Sequence, residues 1–212
     1  MSLLTIKERQ TYLKELGYYT RDENGKEYKI DGIEGPGTKQ AYKDLQKDYF
    51  TKSVRKKKDI DGIYGVDTDI LLKNVYKCRN LKHFKVTEFK CKCKSYCTGY
   101  PVELDNDLLI NLDKTRVYFN KTIKVTSGCR CKKHNSSLKG SSETSRHLKG
   151  KAVDVVVSSY KSLSKRKNVI DYWIKTFTES RKGYCDGYSR TKNSITSVNA
   201  DNMVNSIHLD VI

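Results

Sequence analysis

Two histidines and one aspartate in the second half of the chain have the types and spacing of a metal-ligand set. His147 lies in a polar loop, Asp154 follows it inside the run "AVDVVV" (Ala152–Val157), and His208 sits in the closing stretch "NSIHLDVI" (Asn205–Ile212). A carboxylate inside a valine-rich run faces desolvation unless it is paired or bound to a cation. Two neutral imidazoles and one carboxylate supply three ligands to a divalent zinc and leave a fourth position open for water. The same residues also allow a simpler arrangement, a histidine hydrogen-bonded to a buried aspartate without metal.

These side chains need strands to carry them. In Ala152–Val157, Ala152, Asp154 and Val156 share one face while Val153, Val155 and Val157 share the other. Gly150 lets the chain turn into that strand. In the closing stretch His208 and Asp210 share a face, opposite Ile207 and Leu209. "TIKVTS" (Thr122–Ser127) alternates like a strand, and "SITSV" (Ser194–Val198) is expected to form another. Helical spacing places Leu104, Leu108, Leu112 and Phe119 on one face of "PVELDNDLLINLDKTRVYF" (Pro101–Phe119). It does the same for Val169, Ile170, Trp173, Ile174 and Phe177 in "NVIDYWIKTF" (Asn168–Phe177). Residues 78–90 read as a linker. Helices and strands mix without regular alternation, which points to α+β.

The first third is built differently. "IDGIEGPGT" (Ile30–Thr38) recurs as "IDGIYGVDT" (Ile60–Thr68). Asp-Gly and a second glycine predict a tight turn with positive φ angles, and the threonine is expected to cap a helix. Ala41, Leu45 and Tyr49 share one helical face after the first turn. Ile6, Tyr12 and Leu13 do so before it, and Ile70, Leu71 and Val75 suggest a third short helix after the second.

This segment, about residues 3–77, resembles the peptidoglycan-binding three-helix domain of bacterial and phage cell-wall hydrolases. The matching pieces are "LKELGYY", the two DGIxGxxT turns and "AYKDLQ". The resemblance implies attachment to peptidoglycan. "TRDENGKEYK" and "TKSVRKKKD" lengthen its two loops, so glycan contacts there do not carry over.

A second resemblance covers residues 84–212. Ser145, His147, Gly150, Ala152 and Asp154 spell S-x-H-x-x-G-x-A-x-D, and "TSGCRCKKHN" (Thr126–Asn135) is similar to the "SGYRC…HN" segment of zinc D-alanyl-D-alanine peptidases. "IHLDV" is similar to their closing H-x-D strand, and "FKVTEFKCKC" (Phe84–Cys93) to the opening of a phage and bacterial branch. The family includes vancomycin-resistance D,D-peptidases, phage L-alanyl-D-glutamate endopeptidases and the Hedgehog fold. It implies His147, Asp154 and His208 as ligands of one catalytic zinc, which lowers the pKa of its bound water from about 15.7 toward about 7 and polarises the scissile carbonyl. It implies that Arg130 binds a substrate carboxylate or the developing oxyanion, and that Ser145 orients substrate or His147. Many relatives place an acid or histidine shortly before the last ligand, where this chain has Asn202 to Ile207. The expected base is then Asp210, which alternatively only fixes the tautomer of His208, or Asp201, or a group elsewhere, or none. His83 and His134 read as structural.

The expected architecture is therefore an N-terminal all-α three-helix domain over residues 1–78 and a C-terminal α+β zinc peptidase domain of Hedgehog/D,D-peptidase type over 79–212. The expected activity is hydrolysis of a peptide bond in wall stem peptides, L-Ala–D-Glu or D-Ala–D-Ala. A wall-binding or virion protein that has lost catalysis is the alternative.

Composition fits a soluble globular chain of 212 residues with 36% hydrophobic and 32% charged residues. No apolar run is long enough to span a membrane, and no basic-then-apolar leader opens the chain. The expectation is a phage-type endolysin held in the host cytoplasm until lysis and then acting on the wall. The net charge is +17, most of it after residue 80. Such a field favours anionic wall polymers, and the scattered basic residues do not form a nucleic-acid motif. Seven cysteines include the cluster Cys91, Cys93, Cys97, Cys129 and Cys131. Four of these five can hold a second, structural zinc, or they pair as disulfides in an oxidising space.

Overall fold

The computed structural model describes residues 2–50, 60–93 and 96–212. Three helices come first: α1 (Ile6–Glu15), α2 (Pro36–Tyr49) and α3 (Val66–Cys78). A 3-10 turn at Val86–Phe89 leads to α4 (Asn106–Phe119), β1 (Ile123–Ser127), the short α5 (Lys132–Ser136) and a second 3-10 turn at Arg146–Lys149. Then follow β2 (Ala152–Val157), α6 (Leu163–Thr176), β3 (Ser180–Cys185), β4 (Tyr188–Thr191), β5 (Ile195–Thr196), a 3-10 turn at Asp201–Met203, and β6 (Ile207–Val211). The strands make one antiparallel sheet in the order β1-β2-β6-β3-β4-β5. No helix among the described residues is long and apolar enough to cross a membrane.

The two turns of the repeat are held by the same device. A buried glutamine projects from the helix before each turn and satisfies the turn's backbone. Gln10 on α1 accepts from Gly32 N at 2.9 Å and donates to Asp31 at 2.8 Å and to Ile33 O at 3.1 Å. Gln46 on α2 accepts from Gly62 N at 3.0 Å and donates to Ile63 O at 3.0 Å and to Thr68 at 3.0 Å. Each amide thus uses both its donor and acceptor ends where water is excluded. Gly32 and Gly62 take the expected positive φ, whereas Gly35 and Gly65 are extended and serve as the N-caps of α2 and α3. Thr38 and Thr68 therefore do not cap; they sit inside the first helical turn and donate back to Ile33 O and Ile63 O.

In the second half the sheet buries one face under α4 and α6. Val153, Val155, Ile207 and Leu209 are fully buried there with Leu108, Leu112, Ile170 and Trp173. Burial of each such aliphatic side chain contributes about 1.5–3 kcal/mol, and α4 and α6 form because their apolar faces match it. Asp105 caps α4 by accepting from Asp107 N and Leu108 N, and Ser162 caps α6. Trp173 Nε1 donates to Asp210 O at 3.1 Å, which aligns α6 with β6.

Two further expectations change. Residues 78–90 are not a free linker, because Phe84, Val86 and Phe89 are buried in the core. α3 is also tied forward, with Asn74 accepting from Leu104 N at 2.7 Å and Lys77 paired to Glu103 at 2.7 Å. "SITSV" yields only the two-residue, exposed β5. The longer strands in that region are β3 and β4, joined by the Asp186-Gly187 turn, a dipeptide that favours tight hairpins. The lengthened second loop, residues 51–59, lies outside the described residues.

Candidate metal centre

Each member of the histidine–aspartate set is placed by a different local device. His147 sits on the 3-10 turn Arg146–Lys149, which Gly150 closes in the left-handed region at φ +69°. A Cβ at Gly150 would lie 2.0 Å from Glu103 O, so only glycine fits. Asp154 is central on β2, and Thr126 Oγ1 donates to its carbonyl at 3.0 Å. His208 is central on β6, directly opposite Asp154 in the β2–β6 register. The next pair on the same face is Ala152 opposite Asp210.

The three side chains converge. His208 Nδ1 is 2.8 Å and His147 Nε2 3.3 Å from Asp154 Oδ1. One ligand atom from each lies within 4.8 Å of the others, and all three residues are buried. His147 Nδ1 is 2.7 Å from Gly128 O, so that nitrogen carries the proton and Nε2 offers a lone pair. Gly128 can approach only because it lacks a side chain, since a Cβ would meet Phe89 O at 2.3 Å. His208 Nε2 faces Asp210 Oδ2 at 3.4 Å, which leaves Nδ1 for the centre.

Charge is concentrated here with little solvent. Burial alone would raise the Asp154 carboxyl, but its close contacts with the imidazoles of His147 and His208 outweigh it and hold the group well below the usual carboxylate range. Burial pushes His147 down, toward the neutral imidazole that a metal needs. For His208, burial is overcome by its contacts with Asp154 and Asp210, and its pKa is raised.

The surrounding residues extend the set. Arg130 donates to Asp154 Oδ2 at 2.5 Å and to Ser127 Oγ at 2.9 Å, so its guanidinium neutralises the Asp154 carboxylate. Asp210 is fully buried and is ion-paired with Arg181. It lies at the Nε2 edge of His208, away from the edge that faces Asp154. That is the position of a group that holds a tautomer; a base would have to face the centre. Tyr184, opposite His208 in the β3–β6 register, stacks on the imidazole with ring centroids 4.5 Å apart, and burial pushes its phenol up to about 12. Tyr184 and Arg181 were not legible because β3 was not recognised as a strand; the Asp186-Gly187 turn was the available signal.

A cleft of about 880 Å³ opens over the set, with His147, Asp154, His208, Arg130, Ser145 and Asp210 among its walls. His134, read from sequence as structural, also lines it. Asp201 does not appear among those lining residues.

The donor set fits zinc. Ligand bonds of about 2.0–2.2 Å in a tetrahedron put neighbouring donor atoms about 3–3.5 Å apart, close to the spacing found. Each imidazole has its other nitrogen occupied by an acceptor, which orients the free lone pair inward.

Residues 82–182 match the model of the Peptidase M15 family. M15 peptidases are zinc-dependent metallopeptidases, and the match includes His147 and Asp154. His208 lies beyond it and joins the site through the β2–β6 register. No curated protein matches the chain.

Proposed function

We propose that this chain is a zinc peptidase of the bacterial wall, cleaving a peptide bond of peptidoglycan stem peptides at the L-Ala–D-Glu or the D-Ala–D-Ala linkage. The convergence of His147, Asp154 and His208 at the floor of an open cleft, with both imidazole tautomers fixed from behind, carries this reading. Zinc, when bound, supplies a Lewis acid for the scissile carbonyl and acidifies a water molecule. The remaining work falls to side chains. Arg130 balances the charge on Asp154 and stands at the cleft wall to receive a developing oxyanion. Ser145 lines the substrate side. Asp210 holds His208, and His134 stands on the cleft wall outside the ligand set.

The substrate class follows from charge. Arg146, Lys149, Arg181, Lys182 and Lys139 line the cleft with Arg130, and stem peptides carry free carboxylates that such a wall attracts. In this reading α1 to α3 form the wall-binding part over residues 1–78, and residues 79–212 form the catalytic part. Tethering raises local substrate concentration without altering the chemical step. The setting we propose is a phage-type endolysin that reaches the wall at lysis. Digestion of purified walls followed by mass spectrometry of the fragments tests the proposal. New amino termini at one stem-peptide linkage are expected, and intact stem peptides with zinc-loaded protein would overturn it.

One observation favours a second reading, a wall binder without catalysis. Among the described residues lining the cleft the carboxylates are Asp154 and Asp210, and both are engaged. A binder would sediment with walls and release no amino groups.

A further inference from the structure

Beside the cleft, whose wall includes the neighbouring Lys92 and Arg130, Cys91, Cys93, Cys97 and Cys131 bring their sulfurs within 4.8 Å of one another. The Sγ atoms of Cys93 and Cys97 are 3.4 Å apart. Zinc–sulfur bonds of about 2.3 Å in a tetrahedron require sulfur–sulfur edges of about 3.8 Å. Two disulfides would need only two short separations, whereas here all four sulfurs crowd a common centre.

Hydrogen bonding separates three of these four from their neighbour. Cys91 Sγ accepts from Cys131 N, Cys97 Sγ from Gly99 N and Cys131 Sγ from His134 N, each at 3.4 Å. Backbone N–H groups aimed at sulfur favour thiolates, the form that binds metal. Cys129 does the opposite. Its buried thiol donates to Phe89 O at 3.1 Å and to Gly99 O at 3.7 Å, as a protonated S–H does.

The geometry assigns a second metal site to this chain: a structural zinc held by Cys91, Cys93, Cys97 and Cys131, with Cys129 excluded. Binding releases the four thiol protons and closes all coordination positions to water, so the site does no hydrolysis. Its role is a clamp. Cys131 is the N-cap of α5 and directly follows Arg130, while Cys91 to Cys97 belong to the segment after the 3-10 turn Val86–Phe89. The metal therefore pins the Arg130 turn to that segment, whose Phe89 O and Gly99 O receive Cys129 N and Cys91 N at 3.0 Å and 2.8 Å.

The test uses the full-length chain carrying His208→Ala, purified with zinc, so that the outcome does not depend on peptidase activity. About one zinc per chain is expected to remain, and cobalt exchanged into this variant is expected to show an intense near-ultraviolet thiolate-to-metal charge-transfer band. Adding Cys129→Ser is expected to leave metal and band unchanged, and adding Cys93→Ser or Cys131→Ser to abolish both. A metal-free His208→Ala protein whose four cysteines resist alkylation until reduced would overturn the assignment in favour of disulfides. Loss of the band in Cys129→Ser would overturn it as well, and neither result depends on whether a ligand variant folds.

Discussion

Asp154 and His208 face each other across the β2–β6 ladder, with Asp154 Oδ1 2.8 Å from His208 Nδ1. The pairing register alone makes this meeting: a slip of one residue would turn His208 into the core and Leu209 into the cleft. The apolar residues of β2 and β6 under α4 and α6 thus fix the register, and the register brings the candidate metal ligands together.

Asp210 is a positioning residue in this account. Asp210→Asn keeps shape but removes the charge that faces His208 Nε2. Zinc affinity is expected to fall about 10–100-fold, and catalytic turnover to recover largely when zinc is raised to saturation. Zinc titration alongside the split of kcat from KM checks this; an unchanged zinc affinity with lost turnover would instead make Asp210 the base.

Gly150→Ala is expected to destabilise the C-terminal half. Left-handed backbone costs a residue with a side chain about 1–3 kcal/mol, and the added Cβ also meets Glu103 O at 2.0 Å. Urea unfolding should show a lower midpoint, together with reduced zinc content because His147 rides on that turn.

Gln46→Ala removes a buried amide that serves Gly62 N, Ile63 O and Thr68. Leaving buried backbone groups unsatisfied costs about 1–3 kcal/mol each. Retention of the protein on purified walls should weaken, while cleavage of a soluble stem peptide should persist.

Asp69 gives a pH dependence. Burial works to raise its carboxyl, but hydrogen bonds from Lys73, Leu4 N and Tyr64 prevail and hold its pKa below the ordinary aspartate value of 3.8. A depressed folded pKa contributes stability that is fully present above the unfolded value and is lost as pH falls through the folded one. Asp69→Asn should therefore be less stable than wild type at neutral pH, with the gap narrowing below about pH 4. Denaturant unfolding at a series of pH values tests the sign.

The members of the His147–Asp154–His208 cluster were legible because strand alternation put Asp154 and His208 on polar-facing positions of otherwise valine- and leucine-rich strands, and because the turn before β2 needs Gly150. What joined them was not legible: pairing of β2 with β6 brings together residues far apart in sequence. β3 was missed because "SRKGYC" has no alternating apolar pattern; its Gly183 packs against Ile170 and Leu209 where a side chain would clash. Tyr184 and Arg181 were lost with it. In the first third the repeat signalled the turns, but the role of Gln10 and Gln46 depends on tertiary placement that spacing does not reveal.

The most direct test of the central claim is the release of amino groups from purified peptidoglycan by chelator-treated protein, before and after zinc is restored, beside the His208→Ala variant. The account predicts no release without zinc, release on its return, and none from the variant at any zinc concentration. Zinc-independent release, or full release by His208→Ala, would contradict a metal centre built from His147, Asp154 and His208.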